Sequence, residues 1–343
     1  MKHILLFKIG AIGDVLMTTP FIRQLKKQFP GVLIDYMVGK KTKDILSNNP
    51  YIRDIIVFDE SVFTSKNIFA LLSFFWRIRK MKRYYDAVVI FDKHRIFGLL
   101  FKLAGYKKRI WFNRAWKDGK FLNYKIYRNA SKREVEYNLD LLTLLWWSPD
   151  YDDQTYDMNI PDYVVGRDKK IHKMRTISKK IVCISTWWGN PITKVFHKDK
   201  DCRRWSIKNR EKLAKEFLDR WYVVLLLWSA TDRQLNIHHI LFHNLCGQTK
   251  LLETAYLISK SDLLITSDNG LMHVGWCTKT KILALFWPTD PYHKYPYITS
   301  KTHHPIWWIR KETKECYDIY GSYKTCTGQE INKITVQDVL DCL

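Results

Sequence analysis

Residues 8 to 20 read KIGAIGDVLMTTP and follow an apolar run, Ile4 to Phe7. A strand, a glycine turn and a helix start form the arrangement that cradles phosphate in dinucleotide-binding domains, where backbone amides and the helix dipole attract an anion. This stretch departs from that fingerprint. Gly10 and Gly13 are spaced G-x-x-G, and Asp14 stands where an incoming phosphate would meet a negative charge. Without the G-x-G-x-x-G spacing, a nicotinamide-dependent oxidoreductase is disfavoured. The turn presents a carboxylate, and a phosphate site belongs elsewhere in the chain.

Outward from that turn, short apolar or β-branched runs alternate with helical patterns. KHILLFK is followed by a helix from Asp14 to Phe29, VLIDYMV, a helix near Thr42, DIIVF, a long basic helix, DAVVIF and KKRIWF. Such alternation predicts a parallel sheet wrapped by helices, an α/β fold. A helix over Val135 to Trp147 closes the pattern, and SPDYDDQTYDMNIPDYVV then reads as an acidic, proline-containing linker. The alternation restarts with KIVCIST, a helix over Lys208 to Asp219, YVVLLLW, a helix near Leu251 to Ser259, DLLIT, a short helix after Asn269, and KILALFW. Two doubly wound domains follow, 1–160 and 161–343, with no close sequence repeat between them. The last helix, about 335–343, is expected to pack back on the first domain.

The 343 residues carry a net charge of +23, spread unevenly. Residues 66–133 hold 19 basic residues against three acidic ones, Asp86, Asp92 and Asp118, and so supply +16 of that total. Interleaved aromatics, among them Trp76, Phe97, Trp111, Trp116, Tyr124 and Tyr127, suit anionic headgroups, a phosphorylated substrate or nucleic acid. Nucleic-acid binding lacks a groove-reading motif or zinc spacing to support it. No apolar run approaches the ~20 residues that cross a bilayer, and Lys8 and Asp14 interrupt any signal-peptide core, so a cytoplasmic location is expected. The seven cysteines, all at or after Cys183, form no C-x-x-C pair and read as reduced thiols. Cys316 with Cys326, or His239 with His243 on one face of a helix over HHILFH, would be the candidates for a metal, and neither spacing is specific.

The strongest local signal is SDLLITSDNGLMHVGWCTKTKILALFWPTDP, residues 261–291. A strand delivers Asp268-Asn269-Gly270 to the start of a helix, a good N-cap and a ready anion site. This passage resembles the carboxy-terminal signature of glycosyltransferase family 9, the lipopolysaccharide heptosyltransferases, which carry D-[TS]-G-x-x-H followed by a strand and G-P-T-x-P. The opening stretch is similar to that family's G-x-x-G-D-x-[LV]-x-x-x-P. NLCGQTKLLETAYLISKSD resembles its L-x-G-x-T-x-L-x-E segment, RRWSIKNREKLAKEF its K-x-W-P segment, and DAVVIFDKHR its D-x-Q-x-x-x-R strand. The order matches along nearly the whole chain. Departures are Asn269 for the family's Thr or Ser, Arg203 for its lysine, and Trp287 for the glycine of G-P-T.

The resemblance implies a GT-B fold, two Rossmann-like domains facing across a cleft, with acceptor on the first and nucleotide sugar on the second. It implies inverting, metal-independent transfer of heptose from ADP-heptose to a lipopolysaccharide or lipooligosaccharide inner-core acceptor, with no cofactor. Another sugar nucleotide or a protein acceptor is the alternative within the family. Asp14 would accept the acceptor's proton, helped by Gly13, Asp92, Lys93, Arg95 and Arg114 on the acceptor side. Arg203 would stabilise the departing diphosphate. The donor site would also include Thr186, Lys194, Arg204, Asp232, Asp268, Asn269, Gly270, Leu271, Met272 and His273. An anionic lipid-linked acceptor would bring the protein to the cytoplasmic leaflet of the inner membrane, with Lys107, Lys108, Arg109 and Arg114 meeting phosphates. No nucleic-acid partner is expected.

Overall fold

The computed structural model describes residues 2–65, 67–92, 94–113, 121–127, 131–165, 169–185, 204–227, 235–287, 289–296, 306–311 and 330–343. The chain divides into two compact units, Met1–Asn159 and Ile160–Leu343.

The first unit runs β1 (His3–Lys8), α1 (Ile12–Leu16), α2 (Thr19–Gln28), β2 (Leu33–Gly39), β3 (Asp54–Phe58), α3 (Ile68–Met81), β4 (Ala87–Ile90), α4 (Arg95–Leu103), β5 (Arg109–Asn113), β6 (Tyr124–Tyr127) and α5 (Glu134–Asp140). Its six strands are all parallel, in the order β3-β2-β1-β4-β5-β6. Ile4 to Phe7 and Ala87 to Ile90 are buried throughout. That is why these central strands are continuous apolar runs: helices cover both faces of a parallel sheet.

The second unit runs α6 (Asp162–Val165), α7 (Lys169–Ile177), β7 (Ile181–Ser185), α8 (Ile207–Asp219), β8 (Val223–Leu226), β9 (Phe242–Asn244), α9 (Leu251–Ser259), β10 (Leu263–Ser267), α10 (Gly270–Cys277), β11 (Ile282–Leu285), α11 (Pro291–Lys294), β12 (Ile306–Ile309) and α12 (Val336–Leu340). Its parallel order is β12-β11-β10-β7-β8-β9. Counted from its own first strand this is the order of the first unit, so two unlike sequences build one topology. α10 lies hard on the sheet, since a Cβ at Gly275 would come within 2.6 Å of Leu264 Cδ2.

Several expected elements differ. The helix from Asp14 to Phe29 is two helices broken at Met17 and Thr18, with Pro20 in the first turn of the second. Proline lacks the amide that would continue the upstream helix, so it starts a new one. HHILFH is a turn leading into β9, not a helix: His239 Nδ1 accepts from the Leu241 amide at 3.2 Å, and His243 lies within the strand. The two histidines therefore do not share a helix face. The helix near Thr42 is a single tight turn, Lys43–Ile45.

The acidic stretch after residue 147 is a strap on the first unit. Arg23 of α2 donates to Asp153 Oδ1 (2.7 Å), to the Thr155 carbonyl (2.8 Å) and to Asp157, while Gln24 Nε2 donates to the Asp150 carbonyl at 2.8 Å. At the amino end of β2, buried Asp35 accepts from Arg53 Nε (2.8 Å) and Nη2 (2.5 Å) and from the Tyr85 hydroxyl (2.7 Å). The closing residues are held within the second unit, where Trp205 Nε1 donates to the Ile334 carbonyl and Ser206 N to Asn332 Oδ1, at 2.8 and 2.7 Å.

Candidate active site

In a sheet of this order a crevice opens outside the carboxyl ends of the first and fourth strands, where successive connections leave in opposite directions. In the first unit the Gly10–Asp14 turn leaves β1 at that point and Asp92 follows β4. Asp92 Oδ2 accepts from the Ile9 amide at 2.6 Å, so its carboxylate fixes the loop. The loop also lies across the end of β2, where the Gly39 amide donates to the Ile9 carbonyl at 3.1 Å. A Cβ at position 39 would fall 2.3 Å from that oxygen, so the close approach requires glycine.

Asp14 lies in the first turn of α1, whose N-cap position is taken by Ala11 without a side-chain cap. The carboxylate is thus not the cap. Its Oδ2 is 3.4 Å from Lys8 Nζ, with the Asp14 side chain 28% exposed and that of Lys8 4%. Burial opposes a charge on Lys8, but Asp14, Asp92 and Glu134 together outweigh it and raise its pKa above the ordinary lysine value. Glu134 opens α5 and is itself buried. Lys8 and Glu134 lie at this candidate site and are not among the residues expected from the sequence. The available signal is a lysine ending a strand whose five preceding residues are otherwise apolar or histidine.

Gly13 is buried beside Asp14, and Arg95 is exposed as the first residue of α4. Lys93 and Arg114 lie outside the described residues. Lys107 and Lys108 are exposed, whereas Arg109 is committed to main chain: Nε donates to the Phe121 carbonyl at 2.8 Å and Nη1 to that of Tyr106. Arg109 therefore ties the start of β5 to the segment that leads into β6.

The second unit repeats the device at its own crevice, between β7 and β10. Asn269 Oδ1 accepts from the Leu271 amide at 2.8 Å and caps α10, while Nδ2 donates to the Ser185 carbonyl at 2.9 Å. One side chain thus caps the helix and closes the crevice floor. The Met272 amide donates to the Asn269 carbonyl at 3.2 Å. Of the three expected anion-binding amides, the Gly270 amide is the one not engaged among the described residues. Asp268 Oδ2 accepts from the Thr289 hydroxyl, which joins the two halves of the 261–291 motif. Asp268 and His273 are both buried. Ser185 Oγ, at the end of β7, and Trp287 Nε1, just past β11, are buried without partners among the described residues. Both are polar atoms that sequence reasoning misses. Arg204 is half-buried next to fully buried Trp205. Thr186, Lys194, Arg203 and Asp232 lie outside the described residues, as do Cys316 and Cys326. Among the described residues no group of three or more His, Cys, Asp or Glu side chains is placed to hold a metal, and no helix is long and apolar enough to cross a membrane.

Comparison with known proteins places this geometry. Residues 75–320 match the description "Glycosyltransferase family 9 (heptosyltransferase)". Lipooligosaccharide heptosyltransferase 2 of Haemophilus influenzae is 23% identical over 314 residues, 88% of this chain and 87% of that protein. The crystal structure of the family 9 glycosyltransferase from Veillonella parvula superposes with a TM-score of 0.75 at 20% identity, covering 99% of this chain and 95% of that one. The structure of the E. coli ADP-heptose lipopolysaccharide heptosyltransferase II gives 0.73 at 21% identity, covering 99% and 97%. The two Rossmann-like units are those of the GT-B class.

Proposed function

This chain belongs to glycosyltransferase family 9, and we propose that it transfers a heptose from ADP-heptose to an anionic, lipid-linked inner-core acceptor, with inversion and without a metal. The observation that carries the reading is the Lys8–Asp14 pair: a carboxylate presented at the first unit's crevice, partly open to solvent and oriented by a buried lysine. In a single displacement the acceptor oxygen attacks the anomeric carbon, the bond to the diphosphate oxygen breaks, and the hydroxyl proton passes to Asp14. Lys8 holds the carboxylate in place through the ion pair, and the proton is taken late in the attack. Gly13 lets the acceptor approach the turn, and Asp92 acts through the loop it holds. Arg95, with Lys93 and Arg114, supplies cations for the acceptor's anionic groups.

The nucleotide sugar is bound by the second unit. Arg203, with Arg204 and Lys194, meets the charge that grows on the departing diphosphate, and the Gly270 amide at the start of α10 adds to it. Leu271 and Met272 contribute through the helix start they build, and His273 orders it from within. Asp268, Thr186, Asp232 and the buried donor of Ser185 are offered to sugar and ribose hydroxyls. The similarity to the lipooligosaccharide heptosyltransferase 2 of H. influenzae and to the E. coli ADP-heptose lipopolysaccharide heptosyltransferase II supports this donor and this acceptor class. An acceptor of that kind lies at the cytoplasmic leaflet of the inner membrane, and the basic segment 66–133 suits its headgroups.

The test pairs binding with turnover. A panel of ADP, UDP, GDP and CMP, alone and as sugar conjugates, should raise the melting temperature only for ADP and ADP-heptose, since 100-fold excess over Kd stabilises by about 2.7 kcal/mol. Asp14→Asn should keep that shift and lose about 10²–10⁴ in transfer rate. Stabilisation by a different nucleotide would overturn the donor, and turnover within a fewfold of the parent would remove Asp14 from the chemistry.

A further inference from the structure

α3 is firmly held on one side and apolar on the other. Phe74 packs on Phe58 and Phe63 with centroids 5.2 Å from each, and Arg77 Nη1 donates to the Val57 carbonyl at 2.9 Å. Asn67 Oδ1 caps the helix from the Phe69 (3.0 Å) and Ala70 (3.1 Å) amides. Yet Ile68, Phe69, Leu72 and Trp76 are 57, 79, 45 and 54% exposed. At 100° per residue these four fall within one arc about 100° wide. Arg79 and Lys80 continue the same arc one turn on, so it passes from apolar to basic along its length.

The rim has one sign of charge. No Asp or Glu occurs between Glu60 and Asp86, while Lys66, Arg77, Arg79, Lys80, Lys82 and Arg83 do. Arg79 lies 5.8 Å from the Trp76 ring and donates to the Leu103 carbonyl at 3.3 Å, which brings exposed Leu103 to the patch. Arg83 lies 4.8 Å from the ring of exposed Tyr84. Aromatics beside cations at the edge of an apolar stripe match the interfacial zone of a bilayer. Because α3 follows β3 in a parallel sheet, its apolar first turns start at the same sheet edge as the Gly10–Asp14 turn.

We propose that the exposed arc of α3, Ile68, Phe69, Leu72 and Trp76 with its basic rim, is an interfacial membrane anchor that inserts into an anionic lipid surface. Its purpose rests on the lipid-linked-acceptor reading above, whereas its measurement does not. Charge complementarity selects this occupant. A second copy docked through the same face would set two acid-free cationic stripes against each other, whereas anionic headgroups neutralise the rim while acyl chains cover the arc.

The full chain is sedimented with phosphatidylcholine vesicles made with and without phosphatidylglycerol. The parent should sediment only with the anionic vesicles. A Phe69→Ser, Leu72→Ser, Trp76→Ser variant should bind about tenfold or more weakly at all salt concentrations, because lost insertion is not an ionic effect. An Arg79→Glu, Lys80→Glu variant should lose binding at low salt and approach the parent as salt is raised. These side chains are exposed, so melting temperature and ADP-induced stabilisation should match the parent; if the triple variant melts early, Phe69→Ser alone replaces it. Unchanged sedimentation of the serine variant would overturn the proposal. So would a concentration-dependent dimer of the parent that the serine variant abolishes, with no vesicle binding by either. Loss of ADP stabilisation in the parent would instead count against the transferase reading and leave the vesicle result standing.

Discussion

Lys8 is held charged inside the first unit by the three carboxylates around it, which makes its removal costly. Lys8→Met would leave Asp14, Asp92 and Glu134 facing one another without a cation. Breaking a buried pair in this way costs about 3–5 kcal/mol, so the denaturant midpoint should fall with little change in m. Transfer should fall as well, since Asp14 loses its orienting partner. The raised pKa of Lys8 sets the pH range of its contribution. It is present in full below the unfolded lysine value, about 10.4, and disappears only as pH rises through the higher folded value, so neutral solution sees all of it. Asp14 is legible in the sequence because a carboxylate in a glycine turn contradicts phosphate binding. Lys8 is not, because a lysine at a strand end ordinarily reaches solvent and nothing local announces that Glu134 returns to meet it. Asn269 lies between these cases. Its capping role follows from its place before a helix, while its bond to Ser185 requires knowing that β7 and β10 are neighbours.

Among the elements, the strap over residues 149–157 is where composition misleads. Four aspartates and a proline suggest a solvated linker, but Asp153 and Asp157 close on Arg23, a residue of opposite charge 130 and 134 positions earlier. Arg23→Met should release the strap, lowering stability by about 3 kcal/mol, and limited proteolysis should then cut faster within 148–160. A parent-like cleavage rate would show that Gln24, and Thr19 whose Oγ1 accepts from the Asp157 amide at 2.8 Å, hold the strap without the ion pairs. The buried strands β1, β4, β7, β10 and β11 are legible as apolar runs, and those of four-residue β4 and β11 continue past the strand into buried Phe91 and into buried Phe286 and Trp287. The outermost strands β6, β9 and β12, of three or four residues each, lie in no such longer run, and so few residues show no period. α4 is obscured by Gly98, a poor helix former, where a Cβ would lie 3.3 Å from Leu122 Cδ2.

For the whole molecule, one strand order serves two sequences, and each unit bridges its crevice by a hydrogen bond across the same pair of strand ends, Asp92 to Ile9 and Asn269 to Ser185. Topology, not residue identity, decides where these sites form. Acid should unfold the chain through carboxylates held in partnership. Burial alone would raise Asp35, but Arg53, Tyr85 and His3 outweigh it; Arg23 and Lys27 do the same for Asp153, so both pKa values lie below the ordinary carboxylate range. Depressed values give stability that is present above the unfolded carboxylate pKa, about 3.9, and is lost as pH falls through the folded values. Melting temperature should therefore be flat near neutrality and drop below about pH 4, and Arg53→Met should flatten that drop. Asp157, which burial raises, contributes in the opposite sense. The strap also imposes a schedule on biosynthesis. Its carboxylates are among the last residues the first unit uses, and they are translated just before the second unit begins. A nascent chain ending before Asp150 leaves Arg23 without its counter-charges; one that has passed Asp157 can shut the first unit while the second is still being made.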